Sequence, residues 1–236
     1  MTGYKTDFIH FLAEAGALKF GDFTLKSGRR SPYFINTGAF DSGEKIARLG
    51  DYYAACIMEH IGSGTLPADI RTVYGPAYKG IPLAVATASS LARVHGRDVG
   101  FAFNRKEAKD HGEGGSFVGA KLADGDRILL VDDVITAGTA IRETIPLLRA
   151  AADVEIVGLI LSVDRMERGT AGAAGALSAM SAVMEAERAL GLRVLPIVNV
   201  RELFAGAAAL TDEKGAPLLT EDLRARMDKY MEAWCV

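Results

Sequence analysis

Apolar residues recur at helical spacing over residues 4–18, where Phe8, Ile9, Phe11, Leu12, Ala15 and Leu18 share one face. A second helical face runs through residues 43–62, with Ile46, Leu49, Tyr53, Cys56, Ile57 and Ile61. Between them, residues 19–40 are rich in turn formers and predict short strands and turns. From residue 71 the period changes. Apolar runs at 71–75, 97–103, 116–122, 127–133, 154–164 and 192–200 predict strands, and helical patterns cover about 79–94, 138–151, 177–190 and 220–232. The runs RILLVDD and VEIVGLILSVD are almost continuously apolar, as expected of strands covered on both faces. Pro82 falls in the first turn of its helix, where a missing N–H is tolerated. Strands alternating with helices predict an α/β fold: a twisted, mainly parallel sheet, helices on both faces, and right-handed crossovers. One domain over residues 1–236 is expected, with about 1–40 as a small N-terminal segment.

Composition narrows the function more than the fold. At 236 residues and 49% hydrophobic content, the chain can bury one large core. A net charge of −3 and a pI near 5.9 give no broad cationic field for nucleic acid or an anionic membrane. A phosphate-bearing ligand would need a local cationic site. No apolar run reaches the roughly 18 residues of a membrane span, and the opening MTGYKTDFIH lacks the pattern of a secretory leader. Cys56 and Cys235 fit neither a disulfide framework nor metal-ligand spacing, which points to a reducing, cytoplasmic setting. His10, His60 and His95 show no metal spacing either.

The chemistry concentrates in ILLVDDVITAGTAIRE, residues 128–143. A buried strand ends in Asp132 and Asp133, and the short turn Thr136-Ala137-Gly138-Thr139-Ala140 then opens a helix. Ligands of open α/β sheets bind at the carboxyl ends of strands. Small residues let backbone come close to a ligand, and the free N–H groups and dipole of a helix start attract an anion. The threonine hydroxyls add donors for a phosphate. Two carboxylates beside a phosphate site repel it, so they suit a ligand with hydroxyls next to its phosphate, such as a ribose. A Mg²⁺ ion, held directly or through water, is the other use for such a pair. No Walker loop or dinucleotide fingerprint is present.

The segment VDDVITAGTA resembles the phosphoribosyl diphosphate signature of the type I phosphoribosyltransferases. Three further segments are similar to one branch, the orotate phosphoribosyltransferases. In FTLKSGRRSPYFIN, residues 23–36, Lys26 and Phe34 match the lysine and the first of two aromatics that contact orotate; Ile35 replaces the second. In YGPAYKGIPLA, residues 74–84, the matching pair is Tyr78 and Lys79, which contact the diphosphate sugar. The polar segment FNRKEAKDHGEGG, residues 103–115, resembles the mobile catalytic loop, with Arg105, Lys106, Lys109 and His111 as its cations. Arg165, after the strand 154–164, matches an arginine that takes the orotate carboxylate.

The resemblance implies the type I phosphoribosyltransferase fold, with residues 1–40 contributing to a hood over the active site. It implies transfer of ribose 5-phosphate from 5-phosphoribosyl 1-diphosphate (PRPP) to orotate, giving orotidine 5′-phosphate and diphosphate, a step of UMP biosynthesis. Asp132, Asp133, Arg105 and Lys109 are then the catalytic candidates. PRPP would be held by Tyr78, Lys79, Arg105, Lys106, Lys109, His111, Asp132, Asp133, Val134, Ile135, Thr136, Ala137, Gly138, Thr139 and Ala140. Orotate would be held by Lys26, Phe34, Ile35, Thr136 and Arg165. Mg²⁺ would arrive on the diphosphate and water rather than on direct protein ligands. A homodimer is implied, with the loop reaching the neighbouring site. The alternatives are transfer to another nucleobase, or a PRPP-sensing regulator of the same fold; a regulator of nucleic acid would call for a basic face or an added binding module.

Overall fold

The computed structural model describes residues 3–25, 28–106, 116–134, 139–171, 176–211 and 214–236. In chain order the elements are α1 (Gly3–Glu14), β1 (Leu18–Thr24), β2 (Arg30–Ile35), α2 (Gly43–Gly62), β3 (Thr72–Tyr74), α3 (Gly80–His95), β4 (Gly100–Asn104), β5 (Phe117–Gly119) and β6 (Arg127–Asp132). They continue with α4 (Thr139–Ala151), β7 (Glu155–Asp164), β8 (Arg168–Ala171), β9 (Ala176–Ser181), α5 (Ala182–Leu190), β10 (Val194–Asn199), α6 (Val200–Ala207) and α7 (Glu221–Trp234). Two compact units emerge. One comprises residues 43–163 and 186–197; the other comprises 1–42, 164–185 and 198–236.

The first unit is built on a six-stranded sheet of order β10-β7-β6-β3-β4-β5. The pairs β3/β4, β3/β6 and β6/β7 are parallel, and β5 runs antiparallel to β4. Ile128, Leu129, Leu130 and Val131 of β6 all have no exposed surface. Successive strand residues point to opposite faces, so both faces of the sheet are covered there. Helix α3 lies against β3, β4 and β6 and packs on α2. Because these strands are parallel, the ends of β3, β4 and β6 lie along one edge of the sheet, where their turns carry the candidate residues.

The turn after β3 depends on two glycines. A Cβ on Gly75 would lie 1.9 Å from the Gly80 carbonyl oxygen, and one on Gly80 would lie 2.6 Å from the Gly75 carbonyl carbon. Gly75→Ala therefore forces backbone apart rather than displacing a flexible side chain. The expected cost is about 3 kcal/mol, at the upper end for overpacked sites. A urea titration should show the midpoint fall with little change in slope; an unshifted midpoint contradicts the close approach.

The second unit joins three stretches of chain. Its β1 and β2 form an antiparallel hairpin, β8 and β9 form another, α1 packs beside α6, and α7 lies against β2. Residues 1–42 thus belong to the same compact unit as 164–185 and 198–236. The apolar faces of α6 and α7 carry Leu203, Phe204, Met227 and Tyr230, all buried, and they share this core with Phe8, Ile9, Phe11 and Tyr33. The Tyr33 ring meets Phe204 and Tyr230 edge-on, at 5.1 and 5.9 Å between centroids.

Three local expectations are corrected. The first helix ends at Glu14, and Leu18 opens β1 instead of sharing the helical face, because Gly16 turns the chain at φ 70°. Residues 176–181 form strand β9 where a helix over 177–190 was expected; pairing with β8 overrides the helical preference of alanine. The Ser181 hydroxyl then accepts from the Met184 N–H at 3.2 Å and starts α5 one residue later. Helix α6 follows β10 directly, started by a capping box in which Asn199 and Glu202 each accept the other's backbone N–H.

Candidate active site

In the sheet unit, the end of β6 is held from behind. The Asp132 carbonyl accepts from the Tyr53 hydroxyl at 2.7 Å. The Asp133 carbonyl accepts from Ser162, at 3.0 Å from its N–H and 2.5 Å from its hydroxyl. The carboxylates are fixed by their own backbone: Asp132 Oδ1 accepts from the Asp133 N–H at 2.9 Å, and Asp133 Oδ1 accepts from the Val134 N–H at 2.7 Å. Asp133 Oδ2 pairs with Lys79 Nζ at 2.7 Å. The Asp133 side chain is only 10% exposed and that of Lys79 is 71% exposed, so the lysine can leave while the acid stays. Ile135, Thr136, Ala137 and Gly138 lie outside the described residues. Thr139 and Ala140 open α4, as the strand–turn–helix pattern requires.

Burial of Asp132, reinforced by the negative charge of Asp133, pushes its carboxyl up from the usual 3.8 to about 7. The Lys79 ammonium works in the opposite direction. The sign of the stability effect follows. The folded protein retains a proton that the unfolded chain sheds near pH 4, so this group's contribution to stability falls as pH rises from about 4 to about 7. Between pH 5 and 8 the melting temperature of the wild type should drop relative to Asp132→Asn. Parallel curves for the two proteins would remove the coupling.

The turns after β3 and β4 form the cationic side. Asn104, the last residue of β4, ties them together, since its side-chain oxygen accepts from the Ala77 N–H at 3.0 Å and the Tyr74 hydroxyl at 3.2 Å. Lys79 sits immediately before α3 without a side-chain cap, so the first N–H groups of that helix meet a positive charge. That placement opposes the helix dipole, and the Asp133 carboxylate on Lys79 Nζ offsets it. Tyr78 is 67% exposed, and Lys106 Nζ lies 5.1 Å above its ring. The Arg105 N–H bonds the Ser116 carbonyl at 2.8 Å and closes the base of the 105–116 segment. Lys109 and His111 lie outside the described residues. Ala77, Asn104, Arg105, Lys106, Ala140 and Thr144 line a cleft of about 640 Å³.

In the second unit, Phe34 stands partly exposed on β2 and stacks on Phe23 of β1, 5.5 Å between centroids. Ile35 is the next residue along the strand and points to the opposite face. The ring that accompanies Phe34 is thus Phe23, on the paired strand, rather than the side chain at 35. Lys26 lies outside the described residues. Arg165 is buried against Tyr33: its guanidinium carbon is 5.1 Å from the ring centre, and its Nε donates to the Tyr33 hydroxyl at 3.1 Å.

Residues 38–181 match the phosphoribosyl transferase domain family. Over 96% of both chains, the protein is 55% identical to the orotate phosphoribosyltransferase of Bifidobacterium adolescentis. It belongs to the orotate phosphoribosyltransferase family. Identity to the Clostridium beijerinckii orotate phosphoribosyltransferase is 43%, over 99% of both chains. A crystal structure of orotate phosphoribosyltransferase from Francisella tularensis, 35% identical, superposes with a TM-score of 0.77 over 98% of this chain and 100% of that one. The fold expected from the sequence is the fold of this family.

Several residues that shape these sites carried no sequence signal. Tyr53 and Ser162 looked like core positions, yet their hydroxyls anchor the acid turn. Asn104 lay in the segment read as the catalytic loop, but nothing there marked its side chain as the link between two turns. Tyr33 and Glu167 flank Arg165 only after the chain folds.

Proposed function

We propose that this chain transfers the 5-phosphoribosyl group of PRPP to orotate, releasing diphosphate and orotidine 5′-phosphate for UMP synthesis. The observation that carries this reading is the acid pair at the end of β6, with Asp133 buried and ion-paired to Lys79 at the start of α3. Such a pair has the acceptors for two sugar hydroxyls and, beside it, a cation for the leaving group.

Asp132 and Asp133 accept from the ribose hydroxyls. The 136–140 turn takes the 5′-phosphate through backbone N–H groups and the hydroxyls of Thr136 and Thr139. As the hydroxyls reach Asp133, the Lys79 ammonium is released toward the diphosphate, joined by Tyr78, Arg105, Lys106, Lys109 and His111. Orotate is held by Lys26, Phe34, Thr136 and Arg165, while Ile35, expected beside Phe34, faces the other side of β2 and is left out of the contact. Its ring nitrogen displaces diphosphate at the anomeric carbon. Positive charge grows on the ribose and negative charge on the leaving group, so catalysis is positioning and electrostatic stabilisation. Closure of the 103–115 loop excludes water from the activated sugar. We assign the working form as a cytoplasmic homodimer in which this loop serves the neighbouring site.

Among the described residues no group of three or more His, Cys, Asp or Glu side chains gathers around a point. Two carboxylates supply too few oxygens for Mg²⁺ alone, but they suit an ion that brings diphosphate oxygens and water as its other ligands. Asp132 and Asp133 are the residues near it, and Mg²⁺ when bound neutralises the leaving diphosphate.

The test is a spectroscopic assay of orotate loss with PRPP and Mg²⁺. Orotate should be consumed and diphosphate released in equal amounts. Turnover of a purine or uracil in place of orotate would move the chain to another base, and PRPP binding without turnover of any base would make it a sensor.

A further inference from the structure

The loop after β7 pairs Arg165 with Glu167, a carboxylate to which the proposed reaction gives no role. Arg165 Nη2 lies 2.5 Å from Glu167 Oε1, with side chains only 15% and 16% exposed. The contact is off the line of an N–H bond, so it acts through charge. Tyr230 donates its hydroxyl to the same oxygen at 2.6 Å, and Arg29 Nη1 stands 3.9 Å from Oε2. The intervening residue, Met166, has φ 54°, a conformation that side-chain-bearing residues rarely adopt. Its N–H bonds Asp164 Oδ1 at 2.8 Å, and its carbonyl accepts from the Val236 N–H at 3.0 Å. The sharp turn at Met166 lets Glu167 fold back beside Arg165.

A buried ion pair contributes little to stability compared with well-packed apolar side chains. Its value here lies in where it puts the guanidinium. Nε is fixed on the Tyr33 hydroxyl, Nη2 is drawn to Glu167, and the plane is held against the Tyr33 ring. A planar fork held at two nitrogens and one face cannot turn, so its remaining donors keep one direction. Burial raises the titration of the Tyr33 and Tyr230 phenols, so both remain neutral hydroxyls beside the pair. Arg29 shares the Glu167 carboxylate with Arg165, so the glutamate is not spent on Arg165 alone.

We infer that Glu167, steadied by Tyr230, is a positioning residue that aims Arg165 at the carboxylate of orotate. This rests on the assignment of Arg165 to that carboxylate. It adds a selectivity role for side chains that do not touch the substrate: they make the site read the one group that separates orotate from uracil.

The test compares wild type, Glu167→Gln and Tyr230→Phe for calorimetric binding of orotidine 5′-phosphate and of uridine 5′-phosphate, which lacks the carboxylate. Glu167→Gln should weaken the orotidine nucleotide about tenfold, the size of one charge-assisted hydrogen bond, and the uridine nucleotide less than about twofold. Tyr230→Phe should move the same ratio in the same direction by about threefold. KM for orotate should rise in both variants while KM for PRPP stays within about twofold. Equal weakening of both nucleotides, or an orotidine affinity that is unchanged or improved, overturns the positioning role. Should the glutamine variant fail to fold, Tyr230→Phe, which removes a single oxygen, decides the question alone. Wild type that consumes no orotate defeats the assigned reaction; active wild type with an unchanged ratio in the variants defeats only the role of Glu167.

Discussion

Changing Asp132 and Asp133 together to asparagine is expected to lower kcat/KM for PRPP by about 10²–10⁴. In the proposed complex each ionised carboxylate accepts a charge-assisted hydrogen bond from a ribose hydroxyl, worth about 1.5–3 kcal/mol where water is excluded. Two such bonds amount to about 3–6 kcal/mol, and each 1.4 kcal/mol is about tenfold. The fold should survive, because the amides still accept the Asp133 and Val134 N–H groups that the acids hold now. Relief of the repulsion between the two adjacent negative charges should offset the lost Lys79–Asp133 pair and keep the melting temperature at pH 8 from falling far. Steady-state kinetics beside a melting curve checks both halves. A double variant with near-normal kcat/KM would free the acids from the sugar, and one that simply melts would make them structural.

Lys109→Ala should reduce kcat by about 10²–10³ while orotate binding changes by less than about threefold, the pattern of a donor lost from a charge-stabilising site. The described ends of its loop are firm: β4 pairs with β5, and the Arg105 N–H bonds the Ser116 carbonyl across the opening. A segment tied at its base and rich in glycine beyond it has the build of a lid. The charge that grows on departing diphosphate needs a cation at the moment of transfer, whereas orotate in the ground state does not. Single-turnover rates and orotate calorimetry separate the two. Turnover that survives the alanine change would remove Lys109 from the reaction.

Alternating strand and helix patterns announced the parallel sheet, and the run ILLVDD announced β6 because residues covered on both faces must be apolar until the chain reaches the ligand edge. The acid pair was legible for the same reason, since carboxylates at that point violate the pattern. Partner choice was not legible. The apolar faces of α6 and α7 show that something covers them, but not that α1 and β2 do, so the unit built from 1–42, 164–185 and 198–236 could not be assembled from periodicity. Strand β9 was hidden by its alanines, which favour a helix until β8 offers a pairing edge. The Asn-x-x-Glu signature of α6, at Asn199 and Glu202, was visible but lay inside an apolar run read as strand. At the sites, Asp132, Asp133, Tyr78 and Lys79 were singled out by motif. Glu167 was not, because two residues of separation bring its carboxylate onto Arg165 only through the unusual turn at Met166.

The most direct measurement of the central claim is a crystal structure of the protein with orotidine 5′-phosphate. The nucleotide's phosphate should sit in the 136–140 turn, its ribose hydroxyls should lie within hydrogen-bond reach of Asp132 and Asp133, and Lys79 should have left Asp133. A nucleotide bound elsewhere, with Lys79 still paired to Asp133, would contradict the account.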